Sequence, residues 1–272
     1  MTTVADKRCL FRELHTAGCF VIPNPWDVGS ARFLVKLGFR ALATTSSGFA
    51  WTLGRPDNSV TLTEALGHFE SIAGAVDLPV NADFEGGFAI APADVADNVA
   101  RAIATGIAGI SIEDSTGATS SPLFDFELSV ERIRAAREAI DRAGADVLLT
   151  GRSEGFVVGR PDLDETIRRL TAYATAGADC LYAPGIRSRA EIAAVVAAVA
   201  PRPVNVLVGG DFTTVAELAE LGVRRISVGG ALARAAWNGF LAAAAEIAEH
   251  GTFHGLSAAR SFAEIDETLR EP

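Results

Sequence analysis

The chain has 272 residues, 49% of them apolar, and 24 Lys and Arg stand against 34 Asp and Glu for a net charge of −10. That balance argues against nucleic acid or an anionic membrane as the main partner, although a pocket can still carry its own field for an anionic substrate. The length suits one domain over residues 1–272 of the α/β barrel kind, which runs to about 250 residues as a single unit.

Cys9, Cys19 and Cys180 are odd in number, scattered, and without metal-ligand spacing, as in a reduced cytoplasmic protein rather than a disulfide framework. The opening stretch MTTVADKRCLFRELHTAG lacks an apolar signal core, and no run approaches the ~20 apolar residues of a membrane span. The expectation is a soluble, cytoplasmic protein.

In chain order, an extra helix is predicted over 5–17, before the first strand. Eight β-rich runs follow: 19–24, 41–47, 79–84, 109–114, 147–154, 180–185, 204–210 and 225–230. They read as continuous apolar segments, the pattern of parallel strands covered by helices on the outside. Between them lie stretches such as TEALGHFESIAGAV, PADVADNVARAIATG and DETIRRLTAYATAG, apolar at three- and four-residue steps and opening near Thr, Pro or Asp. A small repeat recurs as LGFRALATT, TGIAGISIE, AGADVLLTG, AGADCLYAP and LGVRRISVG, where Gly closes a helix and turns the chain into the next strand. Eight such units predict a (β/α)8 TIM barrel rather than an open doubly wound sheet. After them comes SAARSFAEIDETLRE, within a C-terminal arm at about 252–272 that has no obvious place on its own barrel.

The active site of such a barrel lies at the C-terminal ends of its strands. Those ends carry Asn24 and Asp27, Ser46 and Ser47, Asn81, Asp83 and Glu85, Glu113 and Asp114, Arg152 and Glu154, and Asn205, with Asp57 in the loop after strand two. The strand starts are bland by comparison. Converging oxygen ligands of this kind suit Mg²⁺, and a facing Arg suits a carboxylate or phosphonate. Each residue also has a structural reading: Asp27 as a helix cap, Asp114 bonding loop amides, Glu154 pairing with Arg152, the serines as turn residues. The four histidines fall away from strand ends, which leaves a zinc site or a His-based triad without support. Trp26 and Trp51 sit in loops at the active face, where they would wall off the pocket.

These residues resemble the isocitrate lyase/phosphoenolpyruvate mutase superfamily, over nearly the whole chain and in consistent order. NPWDVGSARFLVKLGF is similar to the family's first βα unit, and TTSSGFAWTLGRPD to its Ser-Gly-x element. NADFEGGFA resembles the D-x-D-x-G-(Y/F)-G signature, ISIEDSTG the acidic end of strand four, and TGRSEGF the Ala-Arg-(Thr/Val)-(Asp/Glu)-Ala element of strand five. The resemblance implies a Mg²⁺-dependent enzyme, with Mn²⁺ as the substitute ion, acting on small 2-oxo or enol acids. It implies that Asp57, Asp83 and Glu113 hold the metal directly or through water, with Asn81 and Glu85 completing the set. Ser46, Ser47, Gly48 and Phe49 would cradle one end of the substrate, Trp26 and Asn205 would line it, and Arg152 would bind the oxygen that gains charge, with Asp57 and Glu113 as its catalytic partners.

Three departures follow. Asn81 stands where the family has Asp, and the loop STGATSSPLFD lacks the lyase Cys and the mutase Lys and Asn. Pro184 replaces the Glu that lyases carry at strand six. The implied reaction is C–C cleavage or decarboxylation of a small 2-oxo or 2-hydroxy dicarboxylate through an enolate. A phosphonomutase or phosphonopyruvate hydrolase, or a non-catalytic 2-oxo acid binder, is the alternative. A Schiff-base aldolase is disfavoured, because the only lysines, Lys7 and Lys36, lie in helices near the N-terminus. A phosphate site at VGGDFT and SVGGALA stays open. The resemblance also implies a homo-oligomer, dimer or tetramer, that exchanges the C-terminal helix between subunits.

Overall fold

A computed structural model describes residues 2–270. All eight expected strands form, each shorter than the run that announced it: β1 Phe20–Ile22, β2 Leu42–Ala43, β3 Val80–Asp83, β4 Gly109–Glu113, β5 Leu148–Arg152, β6 Cys180–Tyr182, β7 Val204–Leu207 and β8 Arg225–Ser227. They pair in parallel in the order β1-β8-β7-β6-β5-β4-β3-β2. Between β1 and β2 the ring is joined by Ala43 N–H donating to Pro23 O at 3.1 Å and Asn24 Nδ2 donating to Thr44 O at 2.9 Å. The Asn24 Oδ1 accepts from Val228 N and Gly229 N, both at 2.9 Å, so one amide ties β1, β2 and the end of β8. The result is a (β/α)8 barrel.

The helices are α1 Val4–Leu14, α2 Val28–Lys36, α3 Ser46–Thr52, α4 Leu62–Ala75, α5 Pro92–Ile103, α6 Phe126–Arg142, α7 Leu163–Thr175, α8 Arg189–Val199, α9 Val215–Glu220, α10 Ala231–His250 and α11 Phe262–Leu269. Their starts follow local chemistry. Thr61 caps α4 in a reciprocal box with Glu64, Pro92 opens α5, and Asp162 accepts from Glu165 N at the start of α7. The repeated glycines Gly38, Gly106, Gly144, Gly177 and Gly222 all have φ between 58° and 107°, the left-handed turn the repeat predicts.

Helix α1 closes the bottom of the barrel. Phe11 is fully buried against Ile22, Ala41, Ala43, Ala108, Leu148 and Cys180. Lys7 Nζ donates to Ala73 O and Val76 O at 2.8 and 2.6 Å, and Arg8 reaches Ile103 O and Ile107 O at 3.0 Å. Both cations thus satisfy the unpaired carbonyls where α4 and α5 end. Fully burying an aromatic such as Phe11 is worth about 2–3 kcal/mol, so this plug stabilises the barrel's lower end.

Two expectations are corrected. Ser46 and Ser47 do not end a strand: β2 stops at Ala43, and they open α3 behind the cap Thr45. The C-terminal arm does find a place on its own chain, since Arg32 Nη1 donates to Leu269 O at 3.0 Å and Lys36 Nζ to Thr268 Oγ1 at 3.4 Å, setting α11 along α2. The last residues of that arm, 271 and 272, lie outside the described residues. No helix among the described residues is long and apolar enough to cross a membrane.

Candidate active site

A cavity of about 190 Å³ opens at the C-terminal ends of the strands, lined among others by Ser46, Ser47, Asp57, Asn81, Asp83, Arg152, Tyr182 and Asn205. Strand geometry assembles it. Alternate residues of a strand face the barrel interior, so Asn81 and Asp83 of β3 point the same way, as do Thr150 and Arg152 of β5. Register sets Glu113 directly opposite Arg152.

Arg152 is the centre. Its Nε donates to Glu154 Oε1, and its Nη1 lies 3.2 Å from both Asp83 Oδ1 and Glu113 Oε2. Its guanidinium stands 5.2 Å from the Tyr182 ring centroid. Nη2 has no hydrogen-bond partner among the described residues. Burial works against the charge, but Glu113, Glu154 and Asp83 hold the Arg152 pKa well above its ordinary value. A second chain of bonds fixes Glu154: its N–H donates to Asp114 Oδ1 at 2.7 Å, and Asp114 Oδ2 accepts from Arg169 Nη1 at 3.1 Å and Tyr173 OH at 2.7 Å. Asp114 is therefore the loop anchor of its structural reading, and Asp27 is the N-cap of α2, accepting from Ser30 N at 2.6 Å.

Asp83 is held from the other side. Its Oδ2 accepts from Ser46 N and Ser46 Oγ, each at 3.0 Å, while Ser46 Oγ also reaches Asp57 Oδ1 at 3.4 Å. Burial, then Asp83, raise the pKa of Asp57. Glu85 sits at φ 46°, where a side chain rarely goes. Its buried Oε1 has no hydrogen-bond partner, and burial followed by Asp83 and Asp57 pushes its pKa up to about 8. Burial raises Glu113 and Glu154 as well, against the opposing pull of Arg152. Five carboxyls, Asp57, Asp83, Glu85, Glu113 and Glu154, thus share one guanidinium. Local charge is out of balance.

That imbalance and the orphaned Glu85 oxygen fit a hard, oxygen-loving cation. The expected five ligands do not gather as one set, however, and among the described residues no three acidic, His or Cys side chains converge on a common point. Asn81 is turned downward: its Nδ2 donates to Ala82 O at 3.1 Å and its Oδ1 faces Arg225 Nη1 at 3.5 Å. Glu85 opens toward a neighbouring hollow with Asn58, Glu113 and Ser115. The arrangement fits a hydrated Mg²⁺ held by one or two carboxylates, and not a cage of protein ligands.

Other expected site residues pack instead of lining. A Cβ on Gly48 would come within 2.6 Å of Thr45 Cγ2 and 3.0 Å of Trp26 Cβ, so Gly48 permits a close approach there. Its N–H donates to Thr45 Oγ1 at 3.3 Å, and Phe49 N donates to Thr45 O at 3.0 Å, which leaves neither amide for a ligand. The Phe49 ring stacks on His68 at 4.0 Å. Trp26 backs Gly48, and Trp51 packs on Gly230; neither lines the cavity. Ahead of α10, Val228 N and Gly229 N both donate to Asn24 Oδ1, so the phosphate reading loses two of its donors at β8. Sequence reading missed Thr44, Tyr182, Arg225 and Ser227, which do line the cavity. Period-two alternation from Asn205 and Arg152 on the paired strands could have found Tyr182 and Arg225.

An arginine clamped among carboxylates thus stands at the mouth of a parallel barrel, and the chain's relatives make it a lyase-type enzyme. Residues 11–248 match the phosphoenolpyruvate phosphomutase family, and the chain belongs to that family and its isocitrate lyase superfamily. A Burkholderia cenocepacia J2315 structure provisionally described as a lyase/mutase is 48% identical, with a TM-score of 0.96 over 99% of this chain and 98% of that one. Oxaloacetate decarboxylase of Bradyrhizobium diazoefficiens is 33% identical over 192 residues, 68% of this chain and 65% of that protein. Oxaloacetate acetylhydrolase in complex with its product oxalate superposes with a TM-score of 0.86 at 29% identity, over 98% and 93% of the two chains.

Proposed function

We propose that this enzyme cleaves a C–C bond in, or decarboxylates, a small 2-oxo or 2-hydroxy dicarboxylate through an enolate, with oxaloacetate the first substrate to test. The observation that carries the reading is the free Nη2 edge of Arg152, whose Nε is held by Glu154, facing a cavity sized for a small acid. Breaking a bond next to a carbonyl leaves negative charge on the carbonyl oxygen. A guanidinium already oriented by Glu154, Asp83 and Glu113 meets that charge without reorganising. The names of the decarboxylase and acetylhydrolase relatives support the same substrate class.

Mg²⁺, or Mn²⁺ in its place, would be held by Asp83 and Glu113 with Asp57 and Glu85 around its water shell, and would supply further stabilisation of the enolate oxygen. Ser46 orients Asp83 through two bonds, and Tyr182 backs the guanidinium. The cytoplasm is the compartment that fits three free cysteines. A homo-oligomer fits α10, where only Ala233 of its 20 residues is buried while Trp237, Phe240 and Leu241 are exposed.

Release of pyruvate or of oxalate from oxaloacetate, measured with Mg²⁺ and after chelation, tests the reading. Turnover that Arg152→Ala lowers by about a hundredfold or more, as loss of an oxyanion donor does, supports it. Turnover indifferent to Arg152 would overturn it.

A further inference from the structure

The floor of the same cavity holds a cation that this reaction does not use. Arg225 is 3% exposed and lines the cavity from below. Its Nε donates to Asn205 Oδ1 at 2.9 Å and its Nη2 to Thr150 Oγ1 at 3.1 Å. Its Nη1 faces His15 Nε2 at 3.4 Å and Asn81 Oδ1 at 3.5 Å. The His15 Nδ1 lies 2.7 Å from Phe11 O, which assigns the ring proton to Nδ1 and leaves Nε2 as acceptor. Every partner of Arg225 is therefore neutral, and no carboxylate pairs with it among the described residues.

A guanidinium withdrawn from water without a counter-ion is costly, and neutral dipoles offset only part of that cost. Barrel interiors are ordinarily filled by bulky branched apolar side chains. Here Asn81, Ser111, Thr150, Asn205, Arg225 and Ser227 are buried together instead. An acid at position 81 would neutralise Arg225 from 3.5 Å, and this chain has an amide there. The two Nη1 contacts are at the outer limit of hydrogen bonding, so those N–H groups remain open to a better acceptor.

We infer that Arg225, flanked by Asn81 and Asn205, is a carboxylate subsite at the barrel floor, taking one end of a diacid whose other end meets Arg152. Arg225 binds Thr150, and Arg152 lies two residues further along β5. The two cations thus stand on adjoining interior layers of the barrel and line one cavity. The inference rests on the diacid reading of the substrate and makes Arg225 the residue that separates diacids from monoacids.

Calorimetric titration at saturating Mg²⁺, with succinate and butyrate as probes, tests it without turnover. The wild-type chain is expected to bind succinate at least about tenfold more tightly than butyrate, the scale of one charge-assisted pair. Asn81→Asp supplies an internal counter-ion at unchanged size and is expected to abolish that preference. Asn205→Asp, which approaches the same guanidinium at Nε, is expected to do the same and covers the case where the first variant fails to fold. Equal or tighter succinate binding by folded Asn81→Asp, or no preference in the wild-type chain, overturns the inference. Succinate binding that depends on position 81, in a chain that turns over no diacid, would keep the subsite and reject the reaction.

Discussion

His15 offers the most quantitative test of the barrel floor. It is buried at the end of α1, with Phe11 O on one ring nitrogen and Arg225 on the other. Burial first, then Arg225, lowers its pKa from 6.5 to about 3. A depressed histidine favours folding while it is neutral in both states, and the unfolded chain gains as pH falls because it binds the proton first. Stability is therefore full above the unfolded pKa near 6.5 and is lost progressively down to about 3. Linkage with these two values gives a loss of about 2 kcal/mol between about pH 7.5 and about pH 5. Urea unfolding of the wild type and of His15→Gln at both values isolates the term, because the remaining groups titrate alike in the two chains. The variant is expected to lose about 2 kcal/mol less than the wild type over that interval. Parallel losses would refute the neutral, buried assignment of His15 and with it the all-neutral environment of Arg225.

Glu154→Gln removes the charge that orients Arg152; kcat for oxaloacetate is expected to fall about tenfold to a hundredfold with a smaller change in KM, and an unmoved kcat in a folded variant counts against the positioning role. In Gly109→Ala the new Cβ would meet Phe11 Cε1 at 2.5 Å and Asn81 Oδ1 at 2.7 Å, so overpacking is expected to cost about 1–3 kcal/mol in thermal or urea unfolding. Asp27→Ala loses a helix cap worth about 1 kcal/mol and is expected to leave KM unchanged, since Asp27 bonds α2 and not the cavity. Light scattering is expected to show an oligomer that Trp237→Glu with Phe240→Glu disperses, because both rings lie exposed on α10; a wild-type monomer would reject the assembly.

The strands were legible because each is an apolar run followed by a glycine-punctuated helix, and hydrophobic burial dictates that pattern wherever the partner strand lies. Arg152 and Asp83 were legible as polar groups at strand ends, and Asp57 as an acid in the loop after the second run. Helix α3 was not, since SSGFAWT is too short for a helical period and its only signal is the cap Thr45. Gly48 and Phe49 were misplaced for the same reason: once they sit inside a helix, their amides are spent. The C-terminal arm looked homeless because α2 exposes its docking side only in three dimensions. Arg225 was missed because its strand start was read as bland, and nothing in RRIS says which arginine faces inward. The coupling of Glu154 to Asp114, Arg169 and Tyr173 joins positions up to 59 apart in sequence and has no local signature.

The join between β1 and β2 has a consequence for how the mouth opens. Every other neighbouring pair in the ring shares a strand ladder, whereas this one is clasped chiefly by Asn24. The chain on one side of the clasp runs straight into Ser46 and Ser47, and on the other into Gly229 and Gly230, so the two lips of the cavity are tied by the Asn24 amide and the one Ala43–Pro23 backbone bond. The β1–β2 join is therefore where the ring is held by the fewest strand-to-strand bonds, and local opening of the barrel has the least backbone pairing to break there.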